Sequence, residues 1–502
     1  MKILLLTLTA LGMFMSYAPA AYCGVDAHTW NSARRKFFKE FDDIENLPKL
    51  IDEMADLNDK RAAELLCKKT LFHDRFDIRL KTFDALAATT DPEAVEFLAE
   101  QVRRDDKNRL IYVRLLNYLS GDGVTEAIKR AIGDKRWAVA SAALEAARRH
   151  ASEKLVETLK KELNNSNPRL AYEAGLALKA CGREISEKYT SEDEGVLPSK
   201  IFSKKCLVLF DISDDMATSM ALPEHAMREL LAGLKSTQKA VDFEKTISKL
   251  SDASDGELYE KYCVITRQFY GANMVARALA TLDKGSEANV IVYSIGAAFW
   301  KRKFGKFSSR DISSLRKDLV GYMTRPARDF FDALRKAMSA ENVDTIHIVT
   351  CGLPEGSRVE DTDYILSWLK EKNYKRSIRI NTSVVLSNYA DGNPSDQLKL
   401  AYEKGKEPIL AFYKKIAEQN GGKFRAITDF GRLPLPLSGA TAKKEPEKNA
   451  GKTPAIEKKP AKKEPEKEPK KEPVKNPEPE KKEPEKKPKW PKKDDGWLPG
   501  GK

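Results

Sequence analysis

The sequence lacks the short motifs of the common hydrolases and nucleotide-binding enzymes. None of HExxH, GxSxG, GxxxxGK[ST] and GxGxxG occurs in its 502 residues. The five histidines are too dispersed in the sequence to indicate a metal cluster or a catalytic triad, and they stand at positions 28, 73, 150, 225 and 347. These absences predict a protein that is not an enzyme.

Cysteine is scarce as well. The six cysteines, at positions 23, 67, 181, 206, 263 and 351, form no CxxC pair and are too few and scattered for a disulfide scaffold. Cys206 falls within a predicted strand, while Cys67 and Cys181 fall on the apolar faces of predicted helices. We therefore expect most of the cysteines to be free thiols in the core.

Long apolar runs are confined to the amino terminus. Met1 and Lys2 precede an apolar stretch of about a dozen residues that ends in Ala18-Pro-Ala20, the pattern of a secretory signal peptide over residues 1–20. This stretch is short for a membrane span, and no later segment is apolar for long enough. The expected product is an exported protein, secreted or held in the periplasm or cell envelope, without a transmembrane segment once the signal is removed.

From residue 28 to 185 apolar residues recur at three- and four-residue spacing, which predicts helices throughout. Arg79, Arg109, Arg136 and Arg169 each open an apolar helix, and another amphipathic helix precedes each of them. Such pairs must stack to bury their apolar stripes, so an amino-terminal α-solenoid is expected. The pairs resemble HEAT repeats, with residues 28–58 as a helical cap. We expect the four arginines to hydrogen-bond neighbouring turns rather than a ligand.

A polar connector, residues 186–203, leads into a different pattern. Five of the six residues from Cys206 to Asp211 are apolar, which predicts a strand buried on both faces, as in a parallel sheet. Asp211, Ser213 and Asp215 alternate directly after it. Oxygen atoms that converge at the carboxyl end of a central strand suit a hard cation such as Mg²⁺.

The segment Asp211-x-Ser213-x-Asp215 resembles the DxSxS start of a von Willebrand factor type A (vWA) domain, whose metal-ion-dependent adhesion site (MIDAS) binds an acidic group of a partner. The resemblance covers residues 204–432 and continues through a second strand at 288–294, a loop with Thr324, and a strand at 345–351 that leads to Gly352. It implies a doubly wound, mostly parallel α/β sheet after the helices.

Two positions depart from the pattern of this family. Asp215 stands where the family has serine, and Cys351 stands where it usually has aspartate. A thiol is a poor ligand for Mg²⁺ or Ca²⁺, but the number of carboxylates is unchanged. The resemblance therefore implies a Mg²⁺ or Ca²⁺ site made by Asp211, Ser213, Asp215 and Thr324. The alternative is an inert, metal-free domain.

The segment between the first two strands is longer than one helix requires, and helices are predicted over residues 224–249 and 257–282. After the second strand, residues 299–307 interleave aromatic side chains with four cationic ones. Such a segment can grip an acidic protein. We favour an antiparallel edge strand here, because lysines on an edge strand protect it from aggregation.

From residue 440 onward the composition changes. The last 62 residues hold 12 of the 24 prolines, 20 lysines and 13 acidic residues. Nothing in this composition can form a core, so residues 440–502 are predicted to be a disordered, extended tail. Its net positive charge could bind an anionic polymer of the cell envelope, and the alternative is a solvated spacer.

These observations predict an exported, non-enzymatic protein-binding or adhesion-type module. Its vWA-like crest would bind an acidic side chain of a partner protein through a divalent cation. The alternative is a structural scaffold of the cell envelope in which the helical repeats and the tail make the contacts. Nucleic acid is not expected as a partner despite the net charge of +13. Export separates the protein from cellular nucleic acid, and the charge lies largely in a tail that carries both signs.

Overall fold

The structure is a computed structural model that describes residues 25–186, 200–220, 265–389, 395–428 and 430–431. The predicted signal peptide over 1–20, the helix predicted over 224–249 and the predicted tail over 440–502 lie outside these residues. Most of the predicted connector, 187–199, also lies outside them. Among the described helices, none is both long and apolar enough to cross a membrane.

Ten helices form the amino-terminal region, which we call the helical stack. They are α1 (Ala27–Glu40), α2 (Leu47–Ala55), α3 (Lys60–Lys69), α4 (Phe76–Ala87), α5 (Pro92–Arg104), α6 (Arg109–Leu115), α7 (Asp122–Ile132), α8 (Trp137–His150), α9 (Val156–Glu162) and α10 (Pro168–Ala180). The prediction of helices throughout residues 28–185 is confirmed.

Local sequence signals explain where these helices begin. The carboxylate of Asp91 accepts a hydrogen bond from the Ala94 amide, and Pro92 occupies the first turn of α5, where its missing N–H costs nothing. Helices two apart in sequence pack together from α2 through α8, and α8 packs against α10, so alternate helices lie in two layers. Their leucine, isoleucine and alanine side chains share one continuous core.

Six strands form the sheet that follows. They are β1 (Lys205–Asp211), β2 (Glu287–Tyr293), β3 (Ala297–Phe299), β4 (Thr345–Thr350), β5 (Arg379–Val385) and β6 (Phe424–Ile427). Their order is β3-β2-β1-β4-β5-β6, and every neighbouring pair is parallel except β2 with β3. The chain order reverses beside β1, the position where open α/β sheets bind ligands.

Helices cover both faces of this sheet. On one face α11 (Arg267–Ala280) and α12 (Ser309–Gly321) pack against side chains such as Val208 and Phe210. On the other, α13 (Phe330–Ser339), α14 (Thr362–Asn373) and α15 (Asp396–Gln419) pack against Leu207 and Leu209. Since successive residues of β1 face opposite layers, Cys206 through Phe210 are all apolar and buried. The predicted doubly wound, mostly parallel sheet is confirmed.

The free thiols and the edge strand also follow the sequence. Cys67, Cys181, Cys206 and Cys351 are unpaired, and all but Cys181 are buried. Strand β3 is the antiparallel edge predicted after the second strand. The basic segment after it folds back, so that Lys301 pairs with Asp311 at 2.6 Å instead of projecting freely.

The helical stack packs against the amino edge of the sheet at a contact that we call the joint. Arg169, at the start of α10, donates from Nη1 to the carbonyl oxygens of Asp344 and Ser377, which precede β4 and β5. Its Nε donates to Glu173 at 2.9 Å, and its Nη2 donates to Ser141 at 2.9 Å. One buried arginine therefore ties two helices of the stack to two strands of the sheet.

Aromatic packing continues the joint. Tyr374 follows α14 yet belongs to the core of the helical stack, where its ring meets Phe76 at 5.5 Å and Phe83 at 6.4 Å between centroids. Arg114 donates to the Tyr374 carbonyl oxygen and, at 2.9 Å, to the Ser377 hydroxyl. Residues 201–203, at the end of the predicted connector, are buried as well.

The repeated arginines behave in two ways. Arg109 donates to the Val102 carbonyl oxygen and pairs with Asp134, while Arg136 donates to the Asp106 carbonyl oxygen and pairs with the same Asp134. Both confirm the predicted bonding to neighbouring turns. Arg169 departs from that expectation, because its partners include backbone of the α/β region.

Candidate functional site

The predicted site lies at the carboxyl edge of the sheet, in three loops that we call the crest, residues 211–215, 323–329 and 351–355. Asp211 ends β1 and is fully buried. Its carboxylate accepts hydrogen bonds from the Ser213 amide at 2.7 Å and from the Thr350 hydroxyl at 2.9 Å. Asp215 lies in a short 3₁₀ turn, Asp214–Ala217, with 57% of its side chain exposed.

Arg328 occupies the space among these oxygen atoms. Its Nε lies 2.9 Å from an Asp211 carboxylate oxygen and 3.2 Å from the Ser213 hydroxyl. Its Nη2 lies 3.0 Å from the same hydroxyl and 2.6 Å from an Asp215 carboxylate oxygen. The side chain is only 3% exposed. A single guanidinium thus contacts three of the four predicted metal ligands.

The remaining contacts of Arg328 come from the loop after β4. Its Nη1 donates to the Leu353 carbonyl oxygen, and its Nη2 lies 3.7 Å from the Cys351 sulfur. That sulfur is 3.5 Å from Asp211 and 3.7 Å from the Ser213 hydroxyl, so Cys351 lines the same cluster. Burial raises the pKa of the Cys351 thiol well above its ordinary value, as does the nearby Asp211 carboxylate, so the sulfur stays protonated and neutral.

Electrostatics keeps the guanidinium charged. Burial by itself would lower the pKa of Arg328, but the facing carboxylate of Asp211 outweighs this effect and raises the pKa above its ordinary value. One positive charge therefore lies between two carboxylates, those of Asp211 and Asp215. Hydrogen bonds between ionised partners at such distances are among the strongest in proteins.

Thr324, the fourth predicted ligand, is half-buried, and no hydrogen bond joins it to the other three within the described part of the chain. Its neighbour Arg325 pairs through its backbone with the loop that follows β1. The Arg325 amide donates to the Ile212 carbonyl oxygen, and the Arg325 carbonyl oxygen accepts from the Asp214 amide. Arg328 exchanges backbone hydrogen bonds with Glu355 in the same way. The three loops of the crest are therefore tied together.

The residues as arranged do not fit a Mg²⁺ or Ca²⁺ ion. The oxygen atoms of Asp211, Ser213 and Asp215 that would bind it already accept hydrogen bonds from Arg328, and a divalent cation among them would lie against a like charge. Over the described ranges, no group of three histidine, cysteine, aspartate or glutamate side chains is placed to hold a metal ion.

The sequence predicted that Asp211, Ser213 and Asp215 lie close together, but it did not identify Arg328 as part of the same site. A signal for it was present, because the loop that carries Thr324 also carries two arginines, and one of them, Arg328, lies next to Asp329, the residue that caps α13.

No family model matches the sequence, and no curated protein matches it. Solved structures with similar architecture include BatB from Bacteroides thetaiotaomicron, at 13% identity and a TM-score of 0.25, with 45% of this chain and 90% of that chain covered.

Two further solved structures are similar. A von Willebrand factor type A protein from Catenulispora acidiphila matches at 12% identity and a TM-score of 0.26, over 45% of this chain and 39% of that one. The RO (RSR) protein of Deinococcus radiodurans matches at 12% identity and a TM-score of 0.21, over 70% of this chain and 71% of that one. Likeness at this level carries no argument for function.

Proposed function

We propose that this protein is an exported, non-enzymatic scaffold that binds other proteins without a metal ion. In this proposal the helical stack is a HEAT-like solenoid, the sheet region is a vWA-like domain, and the protein works in the cell envelope or outside the cell. The observation that carries the proposal is the burial of Arg328 among the crest carboxylates. The Arg328 guanidinium is therefore not available to an acidic side chain of a partner.

The joint supports a scaffold role. Arg169 and Glu173 from α10 meet Asp344, Ser377 and Arg379 from the sheet region in a buried network. Contacts of this kind fix two regions in one orientation, because moving them apart would leave buried charges and carbonyl oxygens without partners. A partner that binds the helical stack is then held in a fixed position relative to the sheet.

The helical stack offers a surface for such a partner. A groove of about 690 Å³ runs across the first helices of three successive pairs, α3, α5 and α7. Exposed carboxylates of Glu64, Glu96 and Glu126 line it, and Phe97 contributes an aromatic ring. The basic side chains of Lys60, Arg104 and Arg130 line the groove too, but its five glutamates outnumber them, and the net negative charge suits a partner segment with basic residues. Binding of an anionic envelope polymer by residues 440–502 stays a prediction.

Affinity capture from an envelope extract tests this proposal, with the full-length protein as bait. We expect captured proteins to be unaffected by EDTA and to be reduced by the combined change Glu64→Gln, Glu96→Gln and Glu126→Gln. The matched control removes three exposed carboxylates of the stack outside the groove, by Glu145→Gln, Glu153→Gln and Glu157→Gln. Capture that EDTA abolishes would overturn the proposal in favour of an adhesion site with a bound cation.

A further inference from the structure

We propose that the Arg328 guanidinium is the resident cation of the crest, in the place where a divalent ion would otherwise bind the Asp211 and Ser213 oxygens. This inference concerns the crest alone and holds whether or not the scaffold proposal is correct. Three observations carry it: the contacts of the guanidinium, the space that has been left for it, and the charges around it.

The contacts match the task of a bound cation. Arg328 belongs to one loop of the crest and collects oxygen atoms from the other two: the carboxylates of Asp211 and Asp215, the hydroxyl of Ser213 and the carbonyl of Leu353. A divalent ion in such a place would also hold the loops together through their oxygen atoms. A planar guanidinium does so through several fixed N–H donors and cannot be removed by a chelator.

The space at position 352 has the shape of the guanidinium. A Cβ atom added to Gly352 would lie 2.7 Å from Arg328 Cζ and 2.9 Å from its Nη2, closer than real Cβ contacts come. The Gly352 carbonyl oxygen is held by a 3.0 Å hydrogen bond from Tyr413, so the backbone there cannot simply withdraw. The absence of a side chain at 352 therefore gives the guanidinium its room.

The charges account for both departures from the family pattern. With a single positive charge in the cluster, the two carboxylates of Asp211 and Asp215 already leave one net negative charge. A third carboxylate at position 351 would add repulsion in a buried setting, whereas the neutral Cys351 thiol adds none. The aspartate at 215 provides the acceptor that Nη2 needs. Arg328, Asp215 and Cys351 are thus all consistent with a guanidinium in place of a divalent ion.

Calorimetry on the full-length protein gives the first test. We expect no binding heat with Mg²⁺, Ca²⁺ or Mn²⁺ at millimolar concentration and no change of the melting temperature with EDTA. The Arg328→Ala variant should behave differently, because millimolar Mn²⁺ should raise its melting temperature by replacing the missing charge. Heat of binding to the wild-type protein that Asp211→Asn abolishes would overturn the inference.

A double-mutant cycle with Gly352 gives the second test. Gly352→Ala should lower the melting temperature of the wild-type protein by roughly 2–12 °C, the range expected for overpacking in a domain of this size. In the Arg328→Ala background the same change should cost less than about 2 °C, since the clashing group is gone. Equal losses in the two backgrounds would show that the guanidinium does not occupy this space.

Two variants keep the second test decisive. Arg325→Ala removes an exposed arginine from the same loop and should leave the effect of Gly352→Ala unchanged. If Arg328→Ala does not fold, Arg328→Lys takes its place, because it keeps the charge but lacks the branched group that meets position 352. Gly352→Ala should again cost less in that background, and an undiminished loss would contradict the inference.

Discussion

Two buried arginines hold opposite edges of the same sheet, and their partners differ. At the carboxyl edge, Arg328 faces the carboxylates of Asp211 and Asp215 within one folded region. At the amino edge, Arg169 reaches from the helical stack to the carbonyl oxygens of Asp344 and Ser377. The first arginine neutralises charge, and the second donates to buried backbone acceptors, of which the Asp344 carbonyl oxygen also accepts from the Arg379 amide.

The difference teaches what each arginine controls. Removal of Arg328 changes the charge of the crest and therefore what the crest can bind. Removal of Arg169 changes the number of satisfied groups between the stack and the sheet and therefore how firmly the two regions are held. Arg328 thus sets the charge of the crest, whereas Arg169 sets the stability of the joint.

The largest effect is expected from Arg169→Met. Loss of the guanidinium leaves Glu173 and the carbonyl oxygens of Asp344 and Ser377 short of donors, and it should lower the free energy of unfolding by about 3–5 kcal/mol. Arg136→Met is the matched control, because Arg136 holds the same repeat position with a 41% exposed side chain. It should cost no more than about 1 kcal/mol. Equal losses in urea unfolding would contradict the distinction.

A slightly smaller effect is expected from Tyr374→Ala, which empties an aromatic position in the core of the helical stack. Its loss should cost about 3 kcal/mol. Tyr374→Phe should cost almost nothing, because the hydroxyl is buried and has no hydrogen-bond partner among the described residues. Thermal unfolding of both variants measures this, and a large loss for Tyr374→Phe would reveal a polar contact.

Acid should weaken the joint through Glu173. Burial alone would raise the pKa of Glu173, but Arg169 and Arg379 outweigh it and hold the pKa below its ordinary value of 4.5. The stability that this carboxylate contributes is therefore present above about pH 4.5 and is lost as the pH falls through the lower pKa of the folded state. Asp344 acts in the opposite sense, since burial raises its pKa and its ionised form costs stability.

Unfolding midpoints measured from pH 7 to pH 3 would test this dependence. Glu173→Gln should be less stable than the wild-type protein at pH 7, and the difference should shrink as the pH falls. A constant difference across this range would show that the charge of Glu173 does not stabilise the joint.

The smallest effect is expected at the edge strand, away from both arginines. Lys301→Ala removes a half-buried ion pair with Asp311 and a cation that lies 5.1 Å from the Trp300 ring centroid. Such a contact is worth about 1 kcal/mol or less. Thermal unfolding would measure the loss, and a loss comparable with that of Arg169→Met would show that the edge, too, is held by an essential cation.

Local sequence signals predicted the helices, the central strands and the meeting of Asp211 with Ser213 and Asp215. The spacing of apolar residues over a short segment distinguishes a helix from a strand. Residues two apart after the end of a strand stay close together whatever the register of the strand with its neighbours. The antiparallel edge strand was expected over residues 299–307, but it lies at 297–299, and the lysines that suggested it follow the strand. These features depend on residues that are close together in the sequence.

The cation of the crest and the joint depend on residues that are distant in the sequence. Arg328 meets Asp211 across 117 positions, and Arg169 meets Asp344 across 175. No local period encodes such pairs. The divalent ion implied by the family pattern was inferred from the oxygen atoms alone, and that pattern does not reveal which positive group lies beside them.

The backbone pairing of the crest loops has a consequence for hydrogen exchange. Amide hydrogens of Asp214, Arg325 and Arg328 all donate to carbonyl oxygens of neighbouring loops, as they would inside a sheet. Such amides exchange slowly with solvent only when the loops do not separate. Loops paired in this way resist sliding past one another, so we expect the amides of Asp214, Arg325 and Arg328 to be protected from exchange, although all three lie outside the main sheet.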